Sequence, residues 1–331
     1  MSPVWKQALI YLALTSGIPP AAAVAAAEAP VRRFVAEDVT GRSGRPDAAC
    51  LIMAAAIAFD AGRVYVADAE DCAVKVFSKT GRFEGAIGRK GQGPGEFSFP
   101  SGVSVLGTRL FVADKLNRRI QVVDVSGRFV RSFDVAFAPD KVFVLTADAV
   151  LVTHHPKGRS GGEKMLHLYS AAGEPLRQEL AARFTGDPVF DVFLNMFLVN
   201  PGSQGDFFVI FKSQERAILH YARDASLLAR IPVDRRYDLK ALTLPVRGAR
   251  KTIEAFCWDS AHDRGRFYLL APEYTETGDI GPGDKVFVFD AAGRLEARVD
   301  LPARMTRLAV DGDRIYAVDR EGELKVLRIA R

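Results

Sequence analysis

The sequence predicts an all-β chain, a six-bladed β-propeller of four-stranded antiparallel blades closed by pairing an N-terminal strand with the last blade. Three observations lead there. Six β-branched and aromatic runs recur at a spacing near the roughly 40–50 residues of a propeller blade. Polar reversals, most of them carrying a glycine, follow those runs. The two ends of the chain supply complementary loose strands.

Taken in order, the runs are Val64–Asp68, Leu110–Asp114, Val150–His154, Phe208–Lys212, Phe267–Ala271 and Ile315–Asp319. Their composition is that of buried strands, because branched and aromatic side chains pack well on a pleated surface. The reversals fall at Ser78–Arg82, Asp124–Arg128, Ser170–Glu174 and Asp290–Arg294, where glycine tolerates the positive φ of a tight turn. Arg223–Ser226 holds the equivalent place without a glycine. After the sixth run only Leu324–Ile329 is left, one strand short of a blade, while Arg32–Asp38 precedes the first unit unpaired. Pairing the two closes the ring and removes the exposed edges that invite aggregation.

The chain has 331 residues, 48% hydrophobic and 26% charged, which is enough apolar surface for a sizeable core. Its 45 Lys and Arg against 40 Asp and Glu give a net charge of +5 with no block of like charge, so the balance favours anionic partners only mildly. Lys6, the apolar run Ala8–Ile18, the break at Pro19 and Pro20 and the small residues Ala21–Ala29 read as a signal peptide over residues 1–29, cut after Ala27 or Ala29. Residues 30–331 then form a single exported domain, periplasmic or extracellular and monomeric. Export argues against a nucleic-acid partner, and no later segment is long and apolar enough to span a bilayer. Of the three cysteines, Cys50 and Cys72 are the pair placed to bridge, and Cys257 reads as a small core residue.

Gly93–Val105, Leu110–Asp124 and Gly127–Phe133 together make one complete unit. Their wording resembles an NHL repeat, and the resemblance extends over residues 57–133 and fades to shape beyond. It implies a propeller whose loops between second and third strands, and between blades, share one binding face. On that face the candidate ligand-binding residues are Asp68, Asp114, Arg118, His154, Lys212 and Arg216. Asp68, Asp114 and Asp319 recur at one place in the repeat, which also fits carboxylates capping their own turns. Asn117 and Arg119 fit turn and inter-blade packing.

His154 and His155 replace the repeat's aspartate, and imidazole binds zinc or copper. Adjacent strand residues point to opposite faces, so the two are not expected to share an ion. His154 is expected to face the central funnel, with Pro156–Gly162 as a flap over the rim. The metal histidines of the amidating lyases and the calcium set of the gluconolactonases have no matching motif here. No nucleophile elbow, phosphate loop or metalloprotease helix is present either. The expectation is a non-catalytic module without cofactor or metal that binds a protein, peptide or anionic glycan through a polar, mildly basic face. The alternative is a metal-dependent lyase or hydrolase with its ion in the funnel. The basic stretch Asp234–Lys251 is an insertion between units four and five, read as a solvated loop or as a surface whose charge suits anionic glycans, lipids or an acidic protein.

Overall fold

Why the second strand of every blade is so apolar is plain from its surroundings. Arg63–Asp68, Arg109–Asp114, Ala149–Thr153, Phe207–Phe211, Arg266–Tyr274 and Arg314–Asp319 each lie inside a four-stranded sheet, and most of their side chains are buried between neighbouring blades. The computed structural model describes residues 31–39, 49–156, 162–234, 236–237, 240–246, 249–274 and 280–329. The leader expected over residues 1–29 and most of the Pro156–Gly162 flap lie outside the described residues, so neither expectation is tested.

Blades one to four, spanning 54–87, 100–134, 141–181 and 197–232, are separate four-stranded antiparallel sheets with neighbours in sequence order. Blades five (259–300) and six are joined in one eight-stranded sheet. The closing strand Arg32–Asp38 makes that joint. Ala36, Glu37 and Asp38 pair antiparallel with Ile329, Arg328 and Leu327, as expected for the outer strand of the last blade. Arg32–Val35 instead pair parallel with Ala297–Asp300 of blade five. The strand therefore changes partner midway and ties two blades together.

The reversals before the outer strands hold the residues expected. Gly81, Gly127, Gly173 and Gly293 all take positive φ, and each N–H donates to the carbonyl three residues back. In blade four Ala225 adopts the same conformation, φ +62°, in place of glycine. The chain between blades four and five is not a loop: Lys240–Val246 and Ala249–Ala255 form an antiparallel hairpin. Backbone hydrogen bonding offered by two facing extended runs outweighs the charge that suggested solvation. A short helix, Pro188–Leu194, joins blades three and four. Its N-cap is Asp187, whose side chain accepts from the N–H groups of Val189 and Phe190. No described helix is long and apolar enough to cross a membrane.

Candidate functional site at the mouth of the central channel

The first strands of blades six, one and two begin with the same irregularity. Ala54 pairs Asp68 and Ala56 pairs Ala67, leaving Ala55 as a bulge. Ser101 and Thr306 are bulged in the same way, opposite Asp114 and Asp319. A bulge turns a carbonyl off the ladder and re-aims it. Here the carbonyls of all three bulged residues accept from cationic side chains around the channel axis. Lys141 Nζ donates to Ala55 O at 3.0 Å and to Ser101 O at 2.7 Å. Arg307 donates to the same Ala55 O at 3.0 Å and to Thr306 O at 2.7 Å.

Around them lies a cavity of about 280 Å³ lined by the first strands of five blades. Its polar lining comprises Asp140, Lys141, Thr153, His155, Lys212, Asp259, Ser260 and Arg307. These sit at the starts of first strands and the ends of second strands, the face expected to carry the site. Lys212 is fixed through its backbone, since its carbonyl accepts from Phe256 and Cys257 and its N–H donates to Met196 O. Its ammonium rests 4.8 Å from the centre of the Trp258 ring. Among the described residues no hydrogen bond or ion pair engages that ammonium. The indole N–H of Trp258 is likewise buried without a partner.

The electrostatics are mixed. Burial lowers the pKa of Lys141 and of Lys212, each partly offset by nearby carboxylates. Burial would raise Asp140, but Lys141, His155 and Lys115 beside it hold its carboxyl well below the usual range. Asp140 contacts Lys115 at 3.1 Å and His155 at 3.4 Å. Asp259 accepts from the N–H of Leu308 at 2.8 Å. Two of the three central cations are thus partly committed to bulge carbonyls and one has spare donors.

Of the six candidate residues, the structure brings only Lys212 to this mouth. Asp68 is fully buried and accepts from the N–H groups of Ile52 and Met53 at 2.9 Å, with Lys75 at 3.2 Å. Asp114 is also fully buried, accepting from Ser98 N, Asn117 and Arg119. Both latch the segment that leads into the first strand of their blade, and each also meets a residue of its own turn, Asp71 N at 3.5 Å and Asn117 at 2.9 Å. Arg118 is exposed on its loop with φ +52°, away from the cavity lining. Arg216 donates to Tyr237 O at 3.0 Å, bracing the connection to the inserted hairpin.

His154 does not face the funnel. The ladder continues past Thr153, with His154 N donating to Met165 O, so His154 shares the face of Val152 that packs toward blade two. Its Nε2 meets Glu163 at 2.9 Å, its Nδ1 meets His167 Nε2 at 3.1 Å, and its ring stacks on Phe137. Side chains of a second strand look at neighbouring blades; only its upper end reaches the axis, and there His155 lines the cavity instead. The two imidazoles do part company, as alternation requires. Among the described residues no group of three or more His, Cys, Asp or Glu is arranged to hold a metal.

The cysteines are unbridged. Cys72 Sγ is directed at Ala69 O and Glu70 O, and Cys50 Sγ at Glu321 O in blade six, so the two thiols serve different neighbours. Cys257 is buried, and burial pushes its thiol up to about 12.

Asp140, Lys141, Asp259 and Arg307 escaped the sequence reading, which had singled out His155 only beside His154. Their signal was a charged residue opening an otherwise apolar first strand, as in Lys141-Val-Phe-Val-Leu.

A family model named DUF5128 and described as a 6-bladed beta-propeller matches residues 47–187. No curated protein matches the sequence. Solved structures are similar across nearly the whole chain. A DUF4221 family member from Bacteroides vulgatus is 10% identical with TM-score 0.61, covering 91% of this chain and 97% of its own. A gluconolactonase from Xanthomonas campestris is 15% identical with TM-score 0.54, covering 91% and 99%. Hydrazine synthase of Kuenenia stuttgartiensis is 13% identical with TM-score 0.54, covering 88% and 98%. At such identities these likenesses establish the fold alone. The molecule is a six-bladed β-propeller.

Proposed function

We propose that this chain is an exported binding propeller that captures an acidic group, carried by a protein, peptide or glycan, at the mouth of its central channel. The observation that carries the reading is Lys212, whose ammonium makes no hydrogen bond or ion pair among the described residues although Asp259 and Asp140 lie in the same lining, beside Lys141 and Arg307. A carboxylate, sulfate or phosphate there meets donors in a partly desolvated setting, where charge-assisted hydrogen bonds are strongest. Export rests on the leader read from the sequence, and NHL kinship rests on residues 57–133. A mouth of about 280 Å³ suits one anionic head group rather than a whole large ligand.

The test is calorimetric titration with citrate and with a sulfated disaccharide, using the unsulfated sugar as control. Saturable binding of either anion, weakened at least about tenfold in Lys212→Met, supports the reading; tenfold corresponds to about 1.4 kcal/mol. Equal affinity for the neutral sugar, or an unaffected Lys212→Met, refutes it.

A further inference from the structure

We infer that the seam between blades five and six holds a second ligand site, separate from the channel mouth, built for an amphipathic anion: an apolar body carrying one carboxylate or sulfonate. Along the seam lies an open cleft of about 850 Å³. That volume falls within the roughly 300–1,000 Å³ of small-molecule pockets. It lies where the closing strand changes partner. Arg32 and Phe34 come from the half paired with blade five, Ala297 and Val299 from their partners there, and Ile329 from the end of the blade-six strand.

Its apolar wall is continuous with the core. Val288, Ala297 and Val299 are buried members of the cluster between blades five and six, with Phe34 and Ile329 packed against it. Such a wall gives an alkyl or aromatic body a surface on which to shed water.

Charge accounting then fixes the sign of the head group. Three of the cations around the cleft already have acidic partners in it: Arg266 meets Glu296 at 2.7 Å, Lys79 meets Asp311 at 2.9 Å and Arg264 meets Asp263 at 3.7 Å. The fourth acid, Asp313, is 4.0 Å from Arg328, which lies outside the lining. Arg32 and Arg314 are left, and among the described residues neither has an ion pair. Among the described residues Arg32 is engaged with the face of Phe34, at 6.0 Å. Two unpaired guanidinium groups beside an apolar wall match a single anionic head on an apolar body, and a guanidinium accepts such a head bidentately.

The probe is 8-anilinonaphthalene-1-sulfonate, followed by fluorescence on the full folded chain, with dodecanoate as competitor. The expected result is one saturable site, displaced by dodecanoate, with affinity falling at least tenfold in Arg32→Gln/Arg314→Gln and unchanged in Lys212→Met. Arg314→Lys, which keeps the charge, retains most of the binding. Should the double variant not fold, Arg32→Gln alone gives the reading, since Arg32 is exposed on the closing strand. Absence of saturable binding, binding unaltered by loss of the arginines, or binding abolished by Lys212→Met overturns the inference. Because the channel variant serves as the control, failure here leaves the channel reading standing, and the converse holds.

Discussion

Lys141 shows how one side chain organises the mouth. Rooted in blade three, it donates to carbonyls of blades one and two, while Arg307 of blade six reaches the same Ala55 oxygen. Removing a donor from partly buried carbonyls costs about 1–3 kcal/mol. Lys141→Met is therefore expected to lower unfolding free energy by about 2 kcal/mol, measured by urea denaturation; an unchanged midpoint would show the carbonyls to be satisfied otherwise. Ala225 argues in the opposite direction. A non-glycine residue in the left-handed region costs about 1–2 kcal/mol, partly offset by the greater freedom glycine gains on unfolding. Ala225→Gly should stabilise by about 0.5–1 kcal/mol, and a destabilised variant would contradict the turn geometry.

His167 gives the pH dependence. Burial, against the offsetting hydrogen bond to Lys164 O, lowers its pKa to about 4. The folded state then binds fewer protons than the unfolded chain between about pH 6.5 and 4, so stability is lost as pH falls through that window. A shift of this size corresponds to a loss of about 3 kcal/mol. Melting curves from pH 7 to pH 4.5 should show the fall, and His167→Gln should flatten it. A profile of equal slope in that variant would assign the effect to other groups.

At the level of elements, the closing strand carries the clearest consequence. It buries Ala36 and pairs with both blade five and blade six. Deleting residues through Asp38 exposes strand edges on both blades and should lower Tm by about 5–10 °C and reduce solubility. A truncated protein with unchanged melting would mean that the ring closes without this strand. Half of this arrangement was legible in the sequence. A last unit one strand short and an orphan strand at the other end require pairing, and Ala36–Asp38 satisfy it. The parallel half was not legible, because which blade Arg32–Val35 reach depends on the angle between blades five and six, and no local pattern encodes that angle. The same limit explains His154. Strand alternation separates it from His155, but deciding which of the two points at the axis requires knowing where the blade face ends. Repetition, by contrast, did carry information: Asp68, Asp114 and Asp319 stand opposite the three bulges whose carbonyls hold Lys141 and Arg307. What repeats in this chain is the frame of the mouth, and the proposed binding residue, Lys212, is a departure from the repeat.

For the whole molecule, six blades converge so that residues from distant parts of the sequence meet at one mouth, Ala55 and Arg307 being 252 positions apart within the contact formed by Ala55 and the Arg307 guanidinium. A rigid closed scaffold of this kind holds the cations in place in advance, which would lower the entropic cost of the proposed binding. Trp258 reports on that event, because its ring carries the Lys212 ammonium. Trp5, the other of two tryptophans, lies in the expected leader, so in the full-length chain Trp5→Phe leaves Trp258 as the sole tryptophan. The decisive measurement is the emission of that variant during titration with citrate at constant ionic strength. A saturable change that disappears in Lys212→Met, and that weakens as rising pH removes the proton from a lysine whose pKa is lowered by burial, is the predicted result. Emission unmoved by citrate, or moved equally with and without Lys212, would contradict the assignment of the channel mouth as an anion site.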